Sequence, residues 1–78
     1  MNTETKDVTD FLSIEGTHAD IFTIVQEAPD DEQAAQQIQD YVLQQRKGPP
    51  ELYQHFEQGG GDLGNVDWVV VAQAFKSD

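Results

Sequence analysis

The chain has 78 residues, 37% of them hydrophobic, no cysteine, and fifteen acidic against four basic side chains, for a formal net charge of −11. That length holds one domain, and the missing cysteines exclude a disulfide framework, a thiolate metal site and a thiol nucleophile. The charge repels nucleic acid and anionic membranes and steers cationic partners inward, which argues against direct DNA or RNA binding.

No apolar run approaches the roughly 18 residues that a membrane-spanning helix needs. The opening stretch "MNTETKDVTD" lacks the basic-then-apolar order of a secretory signal, so the expected compartment is the cytosol. The apolar residues are spread along the whole chain, which favours a folded domain over global disorder. Residues 1–6 are read as a flexible acidic segment and residues 7–76 as the globular domain.

The first candidate element lies in "DVTDFLSIEG", where Val8, Phe11 and Leu12 share a side and Gly16 ends the run. Next comes "THADIFTIVQEA" (17–28). As a helix it puts Ile21, Ile24, Val25 and Ala28 on one face, with Thr17 and Asp20 as an approximate capping box. Its β-branched residues also suit a strand. The segment 31–46 is the clearest helix. Asp30 or Asp31 can cap it, and acids in its first turn oppose the helix dipole. Ala34, Ala35, Ile38, Tyr41 and Val42 line one face, opposite Gln33, Gln36, Asp40 and Gln44. Arg46 and Lys47 sit at the negative end, and Gly48-Pro49-Pro50 stops the run. In "PELYQHFEQGGG", Leu52, Tyr53 and Phe56 form a stripe, and Pro50 stands where a helix accepts proline. A glycine-rich stretch, "GGGDLGN", precedes "DWVVVAQAF" (67–75), which is a strand by its valines or a helix with Trp68, Val71, Ala72 and Phe75 aligned.

Read as strands, segments 17–28 and 67–75 place large apolar residues on both faces, and two short helices cover only one face of a small sheet. Read as helices, most apolar residues fall on single stripes. The expected fold is therefore all-α, a compact bundle of four to five short helices. The alternative is an α+β fold with a small antiparallel sheet and two helices, in the order strand, strand, helix, helix, strand. Phe22, Leu43, Val69 and Val70 lie off the stripes and need a second contact.

Little in the chain points to catalysis. His18 has Glu15 and Asp20 nearby and His55 has Glu57, but no H-x-x-x-H or H-E-x-x-H spacing exists, and both read as surface histidines. Ser13 and Ser77 are the only serines, and neither stands in a nucleophile elbow. "GGGDLGNVD" lacks the G-K-[ST] ending of a phosphate cradle. As a calcium loop it offers Asp62, Asn65 and Asp67 without the spacing of an EF-hand, so a linker ending in a helix cap at Asn65 or Asp67 is preferred. No enzyme, no metal and no cofactor is expected.

The acid excess is the one feature with functional leverage. Residues 1–32 hold nine of the fifteen acids and a single base, Lys6. Solubility and adaptation to a salty cytoplasm are sufficient ordinary explanations. The functional reading is a carboxylate face for a basic protein. Asp7 and Asp10 share a side of the first helix, Asp20 and Glu27 a side of the second, and Asp30, Asp31 and Glu32 follow at the next turn, with Asp40 behind them. Such a face can plug the cleft of a nucleic-acid-handling protein, in the manner of nucleic-acid mimics and nuclease immunity proteins, by size and charge alone. The rival reading is an accessory or self-associating subunit, a homodimer among its options, that binds through an apolar face around Trp68 and Leu43.

Overall fold

In the computed structural model, residues 2–76 are described. They form five α-helices and no strand, as the all-α reading expects. The helices are α1 (Thr3–Leu12), α2 (Thr17–Glu27), α3 (Asp31–Gln39), α4 (Pro50–Glu57) and α5 (Trp68–Lys76). A single π-turn, Asp40–Gln44, extends α3, and a 3-10 turn, Leu63–Asn65, precedes α5. The molecule measures 35 × 23 × 22 Å.

α5 is the central element and packs against α1, α2 and α3, most extensively against α3. Its position follows from composition, since Trp68, Val71, Ala72 and Phe75 recur at helical spacing and are all buried. The facing stripes are Val8 and Leu12 of α1, Ile21 and Val25 of α2, and Ala34, Ala35 and Ile38 of α3. Tyr41 and Val42 of the π-turn, Leu52 of α4 and Val66 ahead of α5 complete the core. Leu12, Ile21, Ile38 and Leu52 are wholly buried, each contributing about 1.5–3 kcal/mol of transfer free energy. Phe11, Ile24, Ala28, Tyr53 and Phe56, expected on the stripes, are partly buried against that core, and so are the off-stripe Leu43 and Val69.

The local rules hold at the starts of α3, α4 and α5 and fail at three other helix ends. Asp30 caps α3, its Oδ1 accepting from the Gln33 amide at 2.8 Å. Pro50 takes the first-turn position of α4. Asp67 receives the Val70 amide ahead of α5. The first departure is at the N-terminus. α1 starts at Thr3, so residues 3–6 are helical rather than outside the domain. Asn2 caps this start through its Oδ1 and also donates its amide to the Asn65 carbonyl at 2.8 Å. Thr5 is fully buried, and its hydroxyl oxygen accepts from the Asp67 amide at 2.9 Å.

The second departure is at α2, where the Thr17–Asp20 capping box does not form. Gly16 occupies the cap position with φ +94°, a backbone that glycine adopts without strain, and no side chain among the described residues caps the helix. The third is at the end of α3. The regular helix stops at Gln39, and the Gln45 amide reaches back five residues to the Asp40 carbonyl at 2.9 Å. The left-handed residue is then Arg46 (φ 51°) rather than Gly48. The guanidinium of Arg46 lies over the Tyr53 ring, 4.3 Å from its centroid. The Tyr53 hydroxyl donates to the Val42 carbonyl at 2.6 Å and accepts from the Gly48 amide at 3.1 Å. One tyrosine therefore holds the reversal that joins the π-turn to α4.

Candidate partner-binding face

The eight carboxylates singled out in the sequence meet different fates. Asp7 lies in the seam between α1 and α4, with its Oδ2 3.0 Å from His55 Nε2. Asp10 pairs with Lys6 one turn earlier at 3.3 Å, both side chains exposed, an arrangement worth little. Asp31 pairs with Lys76 at 3.2 Å and joins the start of α3 to the end of α5. Asp30 is committed to its cap. Asp20 accepts the Tyr41 hydroxyl at 2.8 Å and Asp40 the Gln45 amide at 2.6 Å. Glu27 and Glu32 are exposed and have no hydrogen-bond or ion-pair partner among the described residues. Hence Asp20, Glu27, Asp30, Glu32 and Asp40 meet no cation among the described residues.

These five lie on the α2–α3 hairpin and its π-turn, and two open grooves flank α3. One, of about 420 Å³, runs between α2 and α3 over Ile24 and Tyr41, with Gln33, Gln37 and Asp40 on its α3 side. Asp20 stands at its edge through the Tyr41 hydroxyl, and Glu27 lies one turn beyond Ile24 on the same side of α2. The other, of about 600 Å³, runs between α3 and the start of α5, with Ala35, Val66, Trp68 and Val69 below and Glu32, Gln36, Gln39 and Asp67 around it. Gln36 borders both. The exposed side of α3 is thus a ridge of neutral amides with carboxylates along its margins.

Two groups in this region or beside it have displaced acidities. Burial, and then the hydrogen bond to Asp20, pushes the Tyr41 phenol up to about 12. Glu4 is held below the usual glutamate value, first by the Asn65 side-chain amide at 3.1 Å and then by backbone amides.

Other sequence candidates are absorbed by the fold. Both histidines are half-buried rather than on the open surface. His18 stacks on Phe22 and leans on Phe75. His55 sits between Phe11 and Phe56, and its carboxylate partner is Asp7 rather than the neighbouring Glu57. In the glycine-rich stretch, Asp62 accepts from the Gly64 amide, Asn65 donates to Glu4, and Asp67 caps α5. No three metal-binding side chains cluster among the described residues. Trp68 is 9% exposed and belongs to the core, and Leu43 packs against it. Among the described residues Ile14 is the exposed large hydrophobic side chain, at 38%. No described helix is long and apolar enough to cross a membrane.

The grooves and the Tyr41–Asp20 bond had no signal in the sequence, because their parts meet only when α2, α3 and α5 pack. No family model, no curated protein and no solved structure matches the chain.

Proposed function

We propose that this protein is a non-enzymatic acidic binding module that engages a basic protein through the carboxylates of the α2–α3 hairpin, and so inhibits or neutralises a partner that handles nucleic acid. One observation carries the reading. Residues 7–45 contain nine acids and no lysine or arginine, and five carboxylates on the α2–α3 unit meet no cation among the described residues. Like charges at this density repel one another and weaken the fold, a cost that a binding role offsets. A surface of this kind accelerates encounter with a positively charged cleft more than it raises affinity.

The test is capture from a lysate on the immobilised protein, washed at low and then at about 1 M salt, where the Debye length falls to about 3 Å. A basic nucleic-acid-handling protein should be released by salt, and the double charge reversal D20K/E27K should fail to capture it. The same partner held through high salt, or captured equally by the double variant, rules the reading out.

A further inference from the structure

The groove between α3 and the start of α5 has a composition that the acid excess alone does not explain. Its floor is apolar and includes the one tryptophan of the chain, Trp68. Its border is rich in acceptors left without donors. Glu32, Gln36 and Gln39 make no side-chain hydrogen bond among the described residues. Asp67 uses Oδ1 for the Val70 amide, and Asn65 uses its Nδ2 for Glu4, so each keeps a side-chain oxygen free of those bonds. Among the described residues no lysine, arginine or histidine lines the groove.

From this we infer that the α3–α5 groove is the seat for an arginine side chain of the basic partner. An arginine presents five N–H donors in a planar fork and carries them on an apolar stem. The stem matches the floor of Ala35, Val66 and Val69. The fork matches the Glu32 carboxylate and the free amide and carboxylate oxygens beside it, while an indole favours a cation close by. Lysine offers three donors from a compact, strongly hydrated ammonium and satisfies fewer of these acceptors. The volume of about 600 Å³ admits one such side chain with the backbone that bears it. This inference rests on the basic-partner reading and assigns to it a particular groove and a particular side chain.

Trp68 supplies the readout, because no other tryptophan contributes emission. The probe is a capped eight-residue peptide of alternating arginine and glycine, with its lysine counterpart beside it, titrated at low ionic strength. The arginine peptide should shift Trp68 emission saturably and bind more tightly than the lysine peptide. E32Q, an exposed change at the groove, should weaken the arginine peptide about fivefold, the weight of one exposed charge-assisted contact. E15Q removes the same charge from the α1–α2 loop, away from the groove lining, and should leave binding within about twofold, as a distant screened charge does. Circular dichroism of both variants checks that the helices are intact. Peptide binding with unmoved Trp68 emission, with E32Q and E15Q alike, or with lysine equal to arginine overturns the groove assignment and leaves the basic-partner reading standing. No binding of either peptide at low salt overturns both.

Discussion

Tyr41 shows how one side chain can serve core and surface together. Its ring is buried with Val42 and Ile38, and its hydroxyl emerges to donate to Asp20 on the neighbouring helix. Ionising it places a phenolate in a poorly solvated site beside a carboxylate, so the folded-state value rises to about 12 from about 10 in an unfolded chain. The neutral phenol is the form that folding favours. The contribution is therefore complete below pH 10 and is lost as pH rises through 12. Alkaline absorbance titrations of the wild type and Y41F isolate this transition by difference. A midpoint close to 12 is expected, and one at the free-phenol value would show that Asp20 and burial do not act on it. Thr5 makes a parallel case without charge. Its hydroxyl oxygen accepts from the Asp67 amide across 62 residues of sequence. T5V keeps the shape and removes the acceptor, so denaturant unfolding should register a loss of about 1–3 kcal/mol, with T5S losing distinctly less. Equal stability of T5V and wild type would mean that water replaces the bond.

At the scale of elements, α4 is tied to α1 by the His55–Asp7 pair, and the following loop depends on the space His55 leaves. Gly60 has no positive φ that would call for glycine, but a Cβ there would strike the His55 ring at the atom that meets Asp7. G60A should therefore act through His55. Alone it should cost about 1–2 kcal/mol by overpacking, and in an H55A background, where the ring is gone, it should cost close to nothing, a coupling that a double-mutant cycle in thermal unfolding reads directly. Equal cost in both backgrounds would place the constraint in the backbone. The same element illustrates what a sequence can and cannot disclose. Leu52, Tyr53 and Phe56 recur at helical spacing, and Pro50 marks the start, so α4 is legible from local rules. The partner of His55 is not, because Asp7 lies 48 residues away while Glu57 is the carboxylate in view. The α3 stripe was legible for the same reason as α4, whereas local rules left α5 open between strand and helix, and the choice of helix came from the apolar faces that a strand would leave uncovered. The start of α1 was hidden, since "TETK" has no apolar period and its anchor is a buried threonine paired to a remote amide. The π-turn was hidden too, since the reversal at Arg46 is set by the Tyr53 ring and not by Gly48. As for the candidate face, the positions of the carboxylates could be read, but their division into those tied to Lys6, His55 and Lys76 and those left open is a product of packing.

For the molecule as a whole, charge and size set a simple balance. Eleven excess negative charges are held on a body with a radius of gyration of 11.3 Å, a distance close to the Debye length of about 10 Å at 0.1 M salt. Carboxylates on opposite sides therefore repel in dilute buffer and are largely screened near physiological ionic strength. Salt also weakens the Lys6–Asp10 and Lys76–Asp31 pairs, but exposed pairs contribute at most about 1 kcal/mol each, less than the relief of repulsion spread over many carboxylates. The melting temperature should accordingly rise from low salt to about 0.15 M and then flatten. E27K changes an exposed, unpaired carboxylate to a cation and should raise the melting temperature at low salt by an amount that shrinks as salt is added. A flat or falling melting temperature would mean that the local pairs dominate. If the acidic hairpin is a docking face, E27K gains stability and slows association with the basic partner. If it is only a solvated surface, E27K gains stability and association is unchanged. Stopped-flow association rates set beside the melting curves of the same two proteins separate these outcomes, because a charge kept at a cost to the fold is explained only when its removal has a cost elsewhere.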